Sequence, residues 1–316
     1  MRQPFRIMVG ARDIVDRATL VERAREAESI GFSHVCIHDH LTPQLAPIPL
    51  LTVVAAVTER IRLCPLVFNN DLRHPAVLAQ ELATLDLLSE GRLEVGLGAG
   101  WNEPEYVATG MRFDEASVRI DRLEEAIAVV RGLFGRGFFD FEGGYYLIRA
   151  MDGQPKPRQQ PHPPFLIGGT RRRMLTLAAH EADIVGMDLR QDRESLPDAF
   201  PKRMDERVGW VRDGAAARFG DLEISVLRLL GPLSITDHAR SVAADVAHEL
   251  GTRTGLTIEP DDVLASPYSL IGTFPHLVEK LREARERWGI NSYLAGWFDE
   301  PNWRDVAPLI ERLAGE

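Results

Sequence analysis

Along the chain, short apolar runs alternate with longer stretches whose apolar residues recur at three- and four-residue spacing. The first pattern predicts buried strands and the second amphipathic helices, since side chains realign every second residue on a strand and about every 3.6 on a helix. Residues 5–9 (FRIMV) read as a strand; residues 19–30 follow as a helix with Leu20, Ala24 and Ala27 on one face and Gly31 as its stop. Strands are then expected at 34–37, 61–68, 93–97, 165–167, 183–185, 224–230 and 291–297. Helices are expected at 49–58, from Pro75 to Gly91, and at 113–134, 171–180, 237–250, 275–288 and 303–313. Pro75 suits a first helical turn, where its missing N–H costs nothing.

Two stretches interrupt this rhythm. Residues 138–146 (FFDFEGGYY) read as a hairpin turning at Gly143–Gly144, and 155–164 as a proline-rich connector, so an insertion covers about 136–164. Residues 190–275 are irregular in pattern. Eight strands, each followed by helical sequence, predict an α/β fold, a closed (β/α)8 TIM barrel formed by residues 1–316 as one domain. A doubly wound open sheet is the competing architecture.

Composition narrows the function. The formal net charge of −10 argues against nucleic acid, which requires clustered Lys and Arg. No apolar run approaches the ~20 residues that span a bilayer, and the N-terminal MRQPFRIMVGARD has no long apolar region, so a cytoplasmic location is expected. The two cysteines, Cys36 and Cys64, each sit in a strand-like run and read as buried free thiols.

In such a barrel the reactive groups stand at the C-terminal ends of the strands. That rule selects His38, Asp39 and His40 after the second strand, Asn69, Asn70 and Arg73 after the third, and GLGAGWNEPEY after the fourth. It also selects GGTRRR after the fifth, Met187–Asp188 after the sixth and Trp297–Asp299 after the eighth. His38 and His40 share a strand face and could chelate, but the fifth and sixth strand ends offer no further histidine, so no metal is expected. The glycines of Gly96-Leu97-Gly98-Ala99-Gly100 lack the rest of a dinucleotide fingerprint and read as points of close backbone approach. Gly168, Gly169 and Thr170 open a helix, where free N–H groups attract an anion, and Arg171 adds charge.

The stretches IHDHL, RHPAVLAQELATLDLLSEGRLEVGLGAGWNEPEY, FLIGGT and GTFPHLVEKL resemble the luciferase-like monooxygenase superfamily, most closely its actinobacterial F420-dependent branch. The resemblance implies a barrel that uses the deazaflavin F420, or FMN as the alternative. It places Asp39 at the polar rim of the ring and His40 near the hydride-exchanging carbon as the catalytic residue. Leu66 and Val67 would form a bulge behind the ring, often with a cis peptide, and Asn69 would lie beside its polar edge. Gly168, Gly169, Thr170 and Arg171 would hold the phosphate. Trp101 and Asn102 stand where some relatives carry a catalytic glutamate, with Glu103 and Glu105 as substitutes, while His38 is expected to face the core. The implied activity is F420-dependent hydride transfer to or from a small organic substrate. The alternatives are an FMN monooxygenase served by a separate reductase, and a flavin-binding protein without turnover. A homodimer is the implied assembly.

Overall fold

The computed structural model describes residues 3–14, 16–189 and 192–316. Eight parallel strands form the centre: β1 (Arg6–Gly10), β2 (His34–Ile37), β3 (Arg62–Pro65), β4 (Val95–Gly98), β5 (Phe165–Gly169), β6 (Ile184–Met187), β7 (Glu223–Val226) and β8 (Ile290–Trp297). Each pairs with its sequence neighbour, and β8 returns to β1, with Arg6 opposite Ser292 and Ile7 opposite Tyr293. Closure between β3 and β4 runs through Leu63. Its N–H donates to the Arg92 carbonyl at 3.0 Å, and its carbonyl accepts from Glu94 N–H at 2.9 Å. The expected barrel is therefore closed.

One helix per strand makes the outer ring: α1 (Arg17–Ile30), α2 (Pro47–Val57), α3 (Pro75–Leu88), α4 (Ala116–Phe134), α5 (Arg172–Glu181), α6 (Pro201–Ala215), α7 (Phe274–Trp288) and α8 (Ala307–Leu313). Asp16 caps α1 by accepting from Thr19 N–H, and Gly31 ends it with φ 98°. The RLEV turn is held by Arg92, whose guanidinium donates to the carbonyls of Ala55, Ile61 and Ser89 and so locks α2 and α3 to β4. Arg92 thus braces the ring rather than the pocket.

The insertion between α4 and β5 contains an antiparallel hairpin, Phe139–Glu142 with Leu147–Met151. Its turn is fixed by Glu125, which accepts from the N–H groups of Gly144, Tyr145 and Tyr146. The proline-rich connector is pinned beneath the barrel, where Gln159 donates to both carboxylate oxygens of Asp86. Within the stretch of irregular pattern lie α6, a helix at Ala239–Thr254, a short helix at Pro260–Ala265 and a two-strand pair, Ser234–Ile235 with Ile271–Gly272. Positions 190 and 191 of that stretch lie outside the described residues. No described helix is long and apolar enough to cross a membrane.

Every second residue of a strand faces the barrel interior, which sorts that interior into layers. The lowest layer is ionic: Arg6 bonds Glu223 at 2.6 Å, Glu94 and His34, and Glu94 also takes Arg62 at 2.8 Å. Burial alone would raise the Glu94 carboxyl, but the His34 hydrogen bond and the guanidiniums of Arg6 and Arg62 hold it well below the usual carboxylate range. Above lies an apolar layer of Met8, Cys36, Cys64, Leu166, Ile184 and Leu294, with both thiols buried and free. The top layer carries His38 and Leu66 and opens to solvent.

Candidate active site at the barrel mouth

The pocket at the C-terminal ends of the strands has a volume of about 270 Å³. Asp39, His40, Leu66, Val67, Asn69, Trp101, Asn102, Gly168, Gly169, Thr170 and Arg171 all line it, so one cavity gathers every ring- and phosphate-contact position expected from sequence. His38, Glu105, Arg119, Met174, Asp188, Leu227 and Arg228 also line it.

Its floor follows from local sequence. The strand reading at 61–68 breaks after Pro65: the Leu66–Val67 peptide is cis, and a second short strand, Phe68–Asn69, then pairs with β4. Beside this bulge the fourth strand has room only for glycine. A Cβ on Gly96 would lie 1.9 Å from the Pro65 carbonyl oxygen, and one on Gly98 would lie 2.5 Å from Val67 Cγ2. The glycine run therefore serves close backbone approach, and with Leu66, Val67 and Leu227 it makes a low, apolar floor.

The HDH stretch divides its labour. His38 Nδ1 lies 2.6 Å from the Leu66 carbonyl. A carbonyl only accepts, so Nδ1 carries the proton and fixes the tautomer. The ring packs on Trp297 at 4.6 Å between centroids, and burial pulls its pKa down to about 4. His38 is thus a neutral, inward-facing wall of the pocket rather than a residue of the closed core.

Asp39 is buried, and its carboxylate grips Arg73 through two bonds of 2.6 and 3.1 Å and accepts from Asn69 N–H at 3.0 Å. Such a forked pair is geometrically specific, and here it ties the end of β2 to the bulge that presents Asn69. Asn69 in turn uses its side-chain oxygen on Asp71 N–H and the Tyr106 hydroxyl, which leaves its amide N–H groups as the donors it can offer.

His40 faces a partner that the sequence named only as a substitute. Glu105 lies buried on the short helix Glu103–Thr109, and its oxygens stand 3.0 and 3.2 Å from His40 Nδ1. The carboxylate holds the proton on Nδ1, so Nε2 is the nitrogen left for proton transfer. Trp101 meets the His40 ring edge-on at 5.6 Å. Glu103 is exposed and belongs to the surface.

At the opposite wall, β5 ends in Gly168–Gly169 and α5 begins, so the first N–H groups of α5 lie at the pocket. Arg171 lines the pocket there and pairs with Glu194 at 3.0 Å and Asp198 at 3.2 Å. Behind this loop Arg207 is fully buried and donates to the carbonyls of Asp188 and Gly169 and to the Tyr268 hydroxyl, with its Nε unpartnered. Its positive charge adds to the helix terminus. Arg228 is a pocket residue that the sequence reading missed, because the seventh strand was expected to run to residue 230 whereas it ends at Val226.

A sequence model described as luciferase-like monooxygenase matches residues 4–207. The chain is 34% identical over 158 residues to an F420-dependent glucose-6-phosphate dehydrogenase of Amycolatopsis mediterranei, covering 48% of this chain and 47% of that one. It is 29% identical over 166 residues to the FMNH(2)-dependent dimethylsulfone monooxygenase of Pseudomonas putida, covering 51% and 46%. These alignments span about half the length of the curated relatives. In fold it is similar to an F420-dependent secondary alcohol dehydrogenase solved with an F420-acetone adduct, with a TM-score of 0.77 at 19% identity over 98% of this chain and 99% of that one. With a family model covering well over half of its residues, the chain belongs to the luciferase-like monooxygenases, a family of flavin- and deazaflavin-using oxidoreductases.

Proposed function

We propose that the protein is a flavin-dependent monooxygenase that takes reduced FMN from a separate reductase. The ring would lie on the Leu66–Val67 floor and the phosphate on residues 168–171. The glycine floor and the unpartnered Arg207 Nε behind the phosphate loop fit such a group, one apolar and planar, the other cationic. Reduced FMN supplies the electrons with which molecular oxygen is split between substrate and water.

The observation that carries FMN over F420 is the charge at the phosphate end. Arg171 is answered there by Glu194 and Asp198, so helix N–H groups, that shared cation and Arg207 behind the loop suit a single phosphate. F420 continues past its phosphate into a carboxylate-bearing tail, which would meet those two acidic side chains. The dimethylsulfone relative is named for the same reduced flavin.

The chain's own residues do the rest. Asp39 and Arg73 fix the bulge, neutral His38 supports it from below, and Asn69 offers amide N–H groups to the ring edge. His40 moves a proton at Nε2, with Glu105 stabilising the charge that develops on the imidazole. Leu66, Val67, Leu227 and Met174 keep water from the floor.

The second reading, F420-dependent hydride transfer, draws on that same pair: a proton donor beside a hydride-accepting carbon is what carbonyl reduction needs. Anaerobic titrations with reduced FMN and with reduced F420 separate the two. The proposal expects FMN to bind at least tenfold more tightly and a Glu194→Gln/Asp198→Asn double variant to narrow that gap. Tighter F420 binding by the unaltered protein transfers the case to hydride exchange.

A further inference from the structure

A second and larger cavity, about 670 Å³, lies outside the barrel between α7 and residues 264–270 and shares no lining residue with the mouth. Its floor is Tyr293 of β8. That residue belongs to the core outside the strands, whereas its neighbour Leu294 belongs to the barrel interior, so the two side chains point in opposite directions. Leu264, Pro267 and Leu270 form one wall; Trp288 and Lys280 of α7 form the other.

Two polar groups in this apolar cleft have hydrogen-bonding capacity left over. Tyr293 is 1% exposed, and among the described residues its hydroxyl makes no hydrogen bond. Burial pushes that phenol well above its usual range, so it stays an O–H donor. Lys280 Nζ donates to the Leu264 carbonyl at 2.6 Å and has no carboxylate within ion-pair distance among the described residues. An ammonium has three donors, so two remain. Burial, only partly opposed by Glu283, draws its pKa down to about 8, the cost of a charge without a partner. The nearby charge of Arg287 and the Trp288 indole N–H are both satisfied by Asp205, at 2.6 and 2.7 Å. The free donors therefore belong to Lys280 and Tyr293.

We propose that this cleft is a second small-molecule site for an amphipathic carboxylate, whose head group is held by Lys280 and Tyr293 and whose hydrocarbon body packs against Leu264, Leu270 and Trp288. Concave apolar sites with a few converging polar groups are the usual form of such pockets, and an ion pair with a carboxylate is stronger than the single bond to a neutral carbonyl that Lys280 now makes.

The test is calorimetric titration of the full chain with sodium octanoate, below its micellar range, beside octylammonium as a head-group control. One octanoate should bind per chain and persist with FMN at saturation, while octylammonium should show no saturable binding. Lys280→Met should weaken octanoate at least tenfold and Tyr293→Phe about threefold or more, in line with the loss of one hydrogen bond. Tyr293→Phe removes only an unpartnered hydroxyl, so its melting temperature should equal or exceed that of the unaltered protein, which keeps the test valid if Lys280→Met folds poorly. Absence of saturable octanoate binding, equal binding in Tyr293→Phe, displacement by FMN, or matching affinity for octylammonium overturns the assignment.

Discussion

Replacing His40 with alanine is expected to lower turnover by about 10²–10⁴-fold, the range of a lost general acid or base, while flavin affinity changes by less than about tenfold. The reason lies in the geometry. Glu105 fixes the proton on Nδ1 and leaves Nε2 as the atom that would transfer one, whereas the floor and the phosphate loop, which would hold the flavin, are built by other residues. Glu105→Gln separates positioning from transfer. An amide can present its oxygen to Nδ1–H but cannot balance the imidazolium, so kcat should fall with KM little changed. The measurement is steady-state turnover against pH for both variants, on the best substrate found by screening. A His40→Ala enzyme at the unaltered rate removes the proton-transfer role.

Acid is expected to cost the fold about 4 kcal/mol between pH 8 and pH 5, a large share of a typical total of about 5–15 kcal/mol. His34 and His38 are both buried, and burial lowers each to about 4. In His34 the positive charge of the Arg6 guanidinium adds to the effect, partly opposed by Glu94. In the unfolded chain both would titrate near the ordinary value of about 6.5. Between these limits the unfolded state takes up protons that the native state refuses, so stability falls as pH falls, by about 2 kcal/mol per histidine at pH 5. Glu94 acts in the same sense lower down. Its lowered carboxyl stabilises the fold above the ordinary carboxylate range, and that contribution is lost as pH drops through it. Urea melts at several pH values measure this, and His38→Gln should remove about half of the loss above pH 5. A midpoint that stays level from pH 8 to 5 contradicts the account.

Much of this architecture was legible because strand and helix periods differ and because barrel chemistry sits at one end of the strands. Those two facts alone put His38, Asp39, His40, Asn69 and the GGTR turn on the same rim, and the pocket collects them. What the pattern hid has physical causes. From Leu63 to Phe68 the run is apolar throughout, and periodicity alone does not mark the turn at Leu66–Val67 that ends one strand and starts another. In VLRLL the apolar residues continue past the strand end, so Arg228 looked like a strand residue and its place in the pocket was missed. Asp39 was assigned by resemblance to a ring contact, and its long-range fork with Arg73 is a tertiary fact that no local spacing encodes. Glu105 was visible as a candidate, but its choice over Glu103 needed the short helix that buries one and exposes the other. The helix at Pro201–Ala215 carries enough charge to blur its apolar stripe, whereas the one expected at 237–250 stands at Ala239–Thr254.

In the proposed function the barrel mouth holds reduced FMN by its phosphate at residues 168–171 and by its ring on the Leu66–Val67 floor. A crystal structure of the protein with FMN bound tests it most directly. The account predicts the phosphate oxygens within hydrogen-bond distance of the Gly169 or Thr170 N–H, and the ring stacked on the Leu66–Val67 peptide with His40 at its exposed face. A phosphate bound away from that turn, or a ring lying outside the mouth, would contradict it.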